Sequence, residues 1–388
     1  MTNQLELTVL LVGIGGYGEN YVHGILAKAV EKNVRIAGAV DPYAAQSPAY
    51  GALLSQGIPV YDTLEAFFAS SRADLAVICT PIYLHARQGA QCMEQGCHVL
   101  VEKPIAATSA EARAMISLRD RTQRLLAVGY QWCYDPAMLA LKADVDAGRF
   151  GRPVSMRAMV LWPRGYQYYA RGTGWAGKKY TQDGQAVFDN VVSNATAHYL
   201  ENMLWLTGHS FGGTTVVQME AETWRANPIE MFDTACMRMT FANGCKALFL
   251  ASHAIGVAEE QPPVFEYAFE KATICYGGIG QKGSGLTAIT QENETIAYGK
   301  TNPSDDVNLY KFWHVVRVLR EGLPCPCPAE AALAHTLAME ALYAAVPEAQ
   351  VFPFIAKESD RLWVPGLRDQ LAACYQNWAL LSEGCPLG

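Results

Sequence analysis

Near the N-terminus, Gly13-Ile14-Gly15-Gly16-Tyr17-Gly18 has the spacing of a turn that cradles a pyrophosphate. Gly13 permits the tight turn, Gly15 lets a phosphate approach the backbone, and Gly18 lets the next helix pack close to the preceding strand. A helix opening there offers free N–H groups and the positive end of its dipole to the anion. Asp41 follows Gly18 by 23 residues and closes the run Val34–Val40. Its carboxylate can accept from both hydroxyls of a ribose and would repel a 2′-phosphate, so the spacing favours NAD over NADP. Tyr17, inside the loop with Gly16, could cover the cofactor or simply pack. Taken alone, the glycines also suit a turn in an ordinary α/β domain.

Thr80-Pro81 and Glu102-Lys103-Pro104 each end an apolar run. Ligands of parallel sheets sit beyond the carboxyl ends of the strands, so both segments point to the glycine loop. Pro104 biases Lys103 toward an extended backbone. Glu102 could orient the lysine or a nicotinamide ribose, the alternative for Lys103 being a solvated loop position.

The elements that must hold these residues alternate. Apolar runs at 8–13, 34–40, 58–61, 75–79, 98–101 and 125–129 read as strands. Helical stretches run from the glycine loop to about Glu31, from Thr63, from the Thr80-Pro81 segment to about Gly96, and from a Ser109 cap to about Thr122. Strands alternating with helices imply βαβ units and a parallel sheet, the α/β class. The 388 residues suffice for two or three domains, and 51% hydrophobic against 17% charged content leaves no signature of disorder. A formal charge of −7 without a basic stripe argues against a nucleic-acid partner. No stretch approaches the ~18 apolar residues of a membrane helix. The N-terminus lacks a basic region and a cleavage site, which predicts a cytoplasmic start. Eleven scattered cysteines are then expected as free thiols, and Cys325-Pro-Cys327 lacks the partners of a metal site, so no metal is expected.

In order, VGIGGYG, AVDP, ICTP followed by His85, VEKP and Gly129–Pro136 (GYQWCYDP) resemble the glucose–fructose oxidoreductase/inositol dehydrogenase family, Gfo/Idh/MocA. The resemblance is specific across the nucleotide domain and weaker to about residue 345. It implies a Rossmann domain over residues 1–130 and an α/β domain over 131–346 with a large, open-faced, mostly antiparallel sheet. Residues 347–388 are left as a helical tail. It also implies cofactor contacts from Gly13, Gly15, Gly16, Tyr17, Gly18, Asp41, Thr80, Pro81, His85, Glu102, Lys103 and Gln131. Family members commonly form homodimers or homotetramers through the sheet.

Family members often carry Asp-x-Gly-x-His-x-x-Asp and then Trp-Leu-x-Gly. This chain reads Asn194-Ala195-Thr196-Ala197-His198-Tyr199-Leu200-Glu201, then Trp205-Leu206-Thr207-Gly208. His198 matches the histidine and Glu201 the second acid, while Asn194 and Thr196 depart from the pattern. An amide orients a substrate but carries no proton at neutral pH. The i, i+4 spacing predicts that Asn194 and His198 share one helix face.

Residues 161–185 interleave aromatics with Arg164, Arg171, Lys178 and Lys179. Aromatic faces stack on sugar C–H patches, so Arg164, Tyr168, Tyr169, Trp175 and Lys178 are candidate substrate contacts beside Asn194 and His198. An oligomer contact would favour the same residue types. Phe232–Phe241 and Cys245–Ser252 read as a hairpin on a type I′ Asn243-Gly244 turn. His253 then either faces substrate or caps an edge. Helices are expected over Asp305–Glu321 and Ala329–Val346, the second packing back on the nucleotide domain. Gln370–Leu381 reads as an amphipathic helix that could cover a partner subunit.

The resulting expectation is hydride transfer between NAD and a secondary hydroxyl of a sugar, polyol or glycoside, a small sugar-like substrate. Lys103 would stabilise alkoxide charge, His198 would be the base and Asn194 would fix a hydroxyl. The alternatives are a redox-neutral NAD-dependent glycosidase and a non-catalytic NAD-binding sensor.

Overall fold

The computed structural model describes residues 6–171, 174–280, 285–301 and 309–384. The chain forms two compact units: Met1–Tyr134 with Pro303–Leu333, and Asp135–Asn302 with Ala334–Gly388.

The first unit alternates β1 (Leu7–Val12), α1 (Gly18–Lys28), β2 (Val34–Val40), α2 (Tyr50–Ser55), β3 (Val60–Tyr61), α3 (Leu64–Ser70), β4 (Leu75–Ile78), α4 (Ile82–Glu94), β5 (His98–Val101), α5 (Ser109–Thr122) and β6 (Leu126–Val128). All neighbouring strands pair in parallel, in the order β3-β2-β1-β4-β5-β6. Helices cover both faces of such a sheet, which is why β4 and β6 are buried at every position. The strand order reverses between β1 and β4, so the carboxyl ends of β1, β4 and β5 bring Gly13, Thr80 and Glu102 to one end of the sheet. Thr108, rather than Ser109, caps α5: its side chain accepts from the Glu111 N–H while Glu111 reaches back to the Thr108 N–H.

The second unit contains α6 (Pro136–Asp146), β7 (Pro153–Leu161), α7 (Tyr166–Tyr169), α8 (Ala197–Thr207), β8 (Val216–Arg225), β9 (Thr234–Phe241), β10 (Lys246–Ser252), β11 (Gln261–Phe269), β12 (Ala272–Tyr276), β13 (Leu286–Thr290) and β14 (Thr295–Gly299). With β15 (Gln350–Val351) the strands form a nine-stranded sheet, ordered β14-β13-β12-β11-β7-β10-β9-β8-β15. Only β7–β10 and β8–β15 pair in parallel. The β9–β10 hairpin forms, but not on a type I′ turn. Asn243 keeps a negative φ, Gly244 alone is left-handed at φ 86°, and the Gly244 N–H donates to the Phe241 carbonyl. The loop is therefore three residues ending on a left-handed glycine, and the Asn243 side chain is spent accepting from the Cys245 N–H.

The expected domain limits shift for a physical reason. Residues 131–134 stay with the first unit, where the Tyr134 hydroxyl donates to the Val128 carbonyl at 3.1 Å. α9 (Tyr310–Glu321) returns to that unit: Phe312 meets Tyr21 edge to face, and Arg320 donates to the carbonyls of Lys32 and Asn33. It ends on left-handed Gly322, as the sequence suggests; its expected start at Asp305 lies outside the described residues. α10 (Ala329–Ala345) follows, and the division between units falls within it.

The tail is not a separate helical segment. After β15 it makes the small hairpin β16 (Ala356–Lys357) and β17 (Leu362–Trp363), then α11 (Leu367–Asn377) and α12 (Leu381–Gly384). Leu367, Leu371, Cys374 and Leu381 pack on Met159, Leu161, Cys236, Leu248 and Leu250. These strand residues share one face of the sheet, so that face is partly closed by its own chain rather than left open. Arg157 on the same face donates to the carbonyls of Tyr375 and Gln376, and Arg238 to that of Trp378. On the other face Tyr298 of β14 donates to Asp144 of α6.

Candidate active site

In the first unit the glycine loop has the geometry a dinucleotide requires. Gly13 has φ +83°, and a Cβ there would lie 2.9 Å from the Cys79 carbonyl oxygen. A Cβ on Gly18 would meet the Gly13 carbonyl at 2.3 Å, whereas one on Gly15 would meet nothing within 4 Å. Gly13 and Gly18 therefore hold strand and helix together, and Gly15 leaves the space a phosphate needs. The Ile14 N–H donates to Asp41 Oδ2 at 2.9 Å and the Tyr43 N–H to Oδ1 at 2.8 Å, fixing the carboxylate beside the loop. The Gly16 N–H donates to Glu19 Oε1 at 3.1 Å, so this carboxylate sits where an anion would bind and must yield to it. These residues fit NAD.

Beyond the loop the strand ends are cross-tied. His85 is buried, with Nδ1 2.8 Å from the Pro104 carbonyl and Nε2 2.8 Å from that of Thr80. Burial lowers its pKa and outweighs the two carbonyls, which raise it. His85 thus braces the loops that follow β4 and β5, and Thr80 donates its hydroxyl to Gln88. The Lys103-Pro104 bond is cis, and Lys103 is half-buried. The Glu102 carboxylate accepts from the Lys103 backbone N–H at 3.3 Å. It is buried, forms an ion pair with Lys311 of α9, and accepts from the Tyr21 hydroxyl at 2.7 Å. Lys311 also lies 4.5 Å from the Tyr17 ring centroid, and Tyr17 donates to Gln131 at 3.4 Å. Burial alone would lower the Lys311 pKa, but the Glu102 charge raises it above the usual lysine range. Sequence reading missed Lys311; the available signal was a lysine amid the apolar positions of a helix.

In the second unit α8 begins at Ala197, so Asn194 and His198 are not on one regular helix. Asn194 belongs to the preceding turns. The Asn190 side chain accepts from the Val192 and Ser193 N–H groups there, and the Thr196 hydroxyl bonds back to the Val191 carbonyl. His198 is buried in the first turn of α8. Asn194 Nδ2 donates to Asp189 Oδ1 at 2.7 Å, and the Gly177 N–H donates to Oδ2 at 2.7 Å. A buried carboxylate thus stands directly behind the asparagine, a residue that spacing gave no reason to select. Glu201 is fully buried with no hydrogen-bond partner among the described residues, and burial pushes its pKa well up.

The aromatic-rich segment gathers as a cluster. Arg164 lies 5.1 Å and Arg171 3.7 Å from the Tyr168 ring centroid. Arg171 also stacks at 4.8 Å on Trp175 and approaches Asp189 at 3.7 Å. Tyr168 meets Tyr169 and His253 edge to face. Lys178 donates its backbone N–H to the Trp175 carbonyl. Arg171 and His253 join the expected contacts here, while Asp189 links the cluster to Asn194.

Residues 7–130 match the oxidoreductase family with NAD-binding Rossmann fold, and residues 138–275 the GFO/IDH/MocA C-terminal domain. The rhizopine catabolism protein MocA of Rhizobium meliloti is 29% identical over 201 residues, 51% of this chain and 56% of that protein. Inositol 2-dehydrogenase of Mycolicibacterium smegmatis is 29% identical over 160 residues, 40% and 44% of the two chains. The chain thus spans about half the length of these curated relatives. The Bordetella pertussis WlbA dehydrogenase, solved with NADH and UDP-GlcNAcA, superposes with a TM-score of 0.70 at 21% identity over 88% of this chain and 97% of that one. An Agrobacterium radiobacter oxidoreductase, solved with NAD+, L-tartaric acid and magnesium, gives 0.71 at 19% over 88% and 96%. At these identities the structures show the fold. The two sequence matches together take in most of the chain and include both the glycine loop and α8: the chain belongs to the Gfo/Idh/MocA oxidoreductase family.

Proposed function

We propose that the protein is an NAD-dependent dehydrogenase acting on a secondary hydroxyl of a sugar or polyol. The observation that carries the reading is the glycine loop, open at Gly15 and flanked by the fixed Asp41 carboxylate. Inositol and UDP-N-acetylglucosamine dehydrogenases among the relatives and structural neighbours support the substrate class. Bound NAD supplies the hydride-accepting ring, and the protein handles the hydroxyl proton. Asp41 binds the adenosine ribose. Lys103 donates to the reacting oxygen and stabilises negative charge as it develops. His198 accepts the proton. Asn194, held by Asp189, orients a neighbouring hydroxyl. Association into a homodimer or homotetramer belongs to the same reading.

The test is incubation with NAD and a panel of sugars, polyols and chromogenic glycosides, following absorbance at 340 nm and released aglycone together. NADH formation is expected. Aglycone release without NADH would replace the reading with redox-neutral cleavage.

A further inference from the structure

Two arginines share one tyrosine in the second unit. Arg164 has no carboxylate partner among the described residues; it donates to the Pro163 carbonyl and packs on Trp162 and Tyr168. Its Nε is buried without a partner among those residues. Arg171 has one acid, Asp189 at 3.7 Å, which is already bound to Gly177 and Asn194. Arg164, stacked on aromatic faces with no carboxylate beside it among the described residues, keeps N–H groups of its planar fork available for an anion, while Arg171, which also donates to the Tyr168 carbonyl, adds positive charge beside it.

His253 supplies the second, independent observation. It is 1% exposed, and its ring lies edge to face with Tyr168, 5.3 Å between centroids. Nδ1 is 2.8 Å from the Trp162 carbonyl, which can only accept, so Nδ1 carries the proton. Burial, reinforced by Arg164, lowers its pKa to about 3 and keeps the ring neutral. Nε2 is therefore an acceptor, and it has no partner among the described residues. A buried acceptor left without a donor costs about 1–3 kcal/mol, which a substrate hydroxyl would recover.

Resting on the dehydrogenase reading, we propose that Arg164 and Arg171 form a subsite for a substrate carboxylate and that His253 Nε2 accepts from a hydroxyl beside it. The substrate is then a polyhydroxy acid of the uronic or aldonic class. A carboxylate matches the planar fork in two parallel hydrogen bonds, whereas a neutral sugar would leave the Arg164 cation uncompensated.

The protein with NAD is assayed on D-glucuronate and D-gluconate against D-glucose and D-glucitol, with D-glucose 6-phosphate as a separate arm. The acids are expected to show kcat/KM about 10²-fold above the neutral pair, and Arg164→Met to reduce that ratio by a similar factor. Calorimetric binding of D-glucuronate to the NAD-loaded protein gives a readout independent of turnover and is expected to weaken in Arg164→Met. Arg171→Lys serves as a second variant, retaining charge but losing the fork, and unchanged urea unfolding reports that each variant is folded. Equal preference for neutral and acid substrates, a preference for the phosphate, or absence of acid binding would overturn the subsite. Acid binding that depends on Arg164, with no NADH from any compound, would uphold the subsite and overturn the dehydrogenase reading.

Discussion

Glu102 illustrates how a residue found by its place in a motif acquires a different task from its surroundings. Its position at the end of β5 suggested a partner for Lys103 or for a ribose. Besides accepting from the Lys103 backbone N–H, its carboxylate meets Lys311, 209 residues away and 1% exposed, and the Tyr21 hydroxyl. Removing one partner of a buried pair leaves an uncompensated charge and costs about 3–5 kcal/mol, whereas removing both restores much of the loss. Lys311→Met is thus expected to lower stability in urea unfolding by that amount, and Glu102→Gln/Lys311→Met to lie nearer the parent. A double variant no better than the single one would contradict a coupled pair. Glu201 behaves differently because its buried carboxylate has no hydrogen-bond partner among the described residues. Burial raises its pKa, so the folded chain keeps a proton that the unfolded chain releases in the ordinary carboxylate range. The native state binds more protons between those two values, and its stability falls as pH rises through that window. Glu201→Gln should flatten this dependence; identical slopes in parent and variant, in urea unfolding at about pH 5 and about pH 8, would reject it.

At the scale of elements, sequence pattern succeeds where the determinants are local. The strands of the parallel sheet are mostly buried apolar runs, apart from the short half-buried β3 and exposed Arg35 in β2, and Gly18 answers a steric demand from Gly13 only five residues away. Gly18→Ala illustrates that demand: a Cβ 2.3 Å from the Gly13 carbonyl must push α1 from β1, so NAD affinity measured by fluorescence should fall by at least tenfold. Unchanged affinity would mean that the loop does not hold the cofactor. The pattern fails where the determinant is distant. It fails too where short side-chain bonds compete with the helix: the i, i+4 spacing puts Asn194 and His198 on one helix, because the Asn190 and Thr196 side-chain bonds leave no periodic trace. α11 was visible as an amphipathic stretch, yet nothing in its spacing distinguishes its own sheet from a partner's. Asp189 and Arg171 were equally silent, since their meaning comes from neighbours brought in by the fold. The closure of the sheet face by α11 carries its own test. Leu371 is fully buried against strand residues, so Leu371→Ala should cost about 2–5 kcal/mol in urea unfolding. A cost under about 0.5 kcal/mol would mean that the helix leaves this face in solution.

For the whole molecule, the division of labour follows the division of the chain. The groups suited to the dinucleotide, Gly13 to Gly18 and Asp41, all belong to the first unit, as does Lys103. The groups suited to a polyhydroxy substrate, Asn194, His198, Arg164 and Arg171, all belong to the second. The chain enters the second unit after Tyr134 and returns to the first for α9, so neither unit corresponds to one continuous stretch of sequence. Binding energy for the two ligands should therefore separate by mutation even though turnover requires both. Lys103→Met and His198→Ala are each expected to lower kcat/KM by at least about 10²-fold, the usual contribution of a group that moves or stabilises a proton in the transition state. Both should leave the NAD dissociation constant within about threefold, because neither belongs to the glycine loop or is Asp41, the groups the proposed reading assigns to pyrophosphate and adenosine ribose. Asp41→Ala should do the reverse, weakening NAD while leaving turnover at saturating NAD close to the parent, since its carboxylate binds a part of the cofactor remote from the reacting carbon. If His198→Ala retained full turnover, the proton acceptor would have to be sought elsewhere. If it weakened NAD as strongly as Asp41→Ala does, the two roles would not be separable by unit.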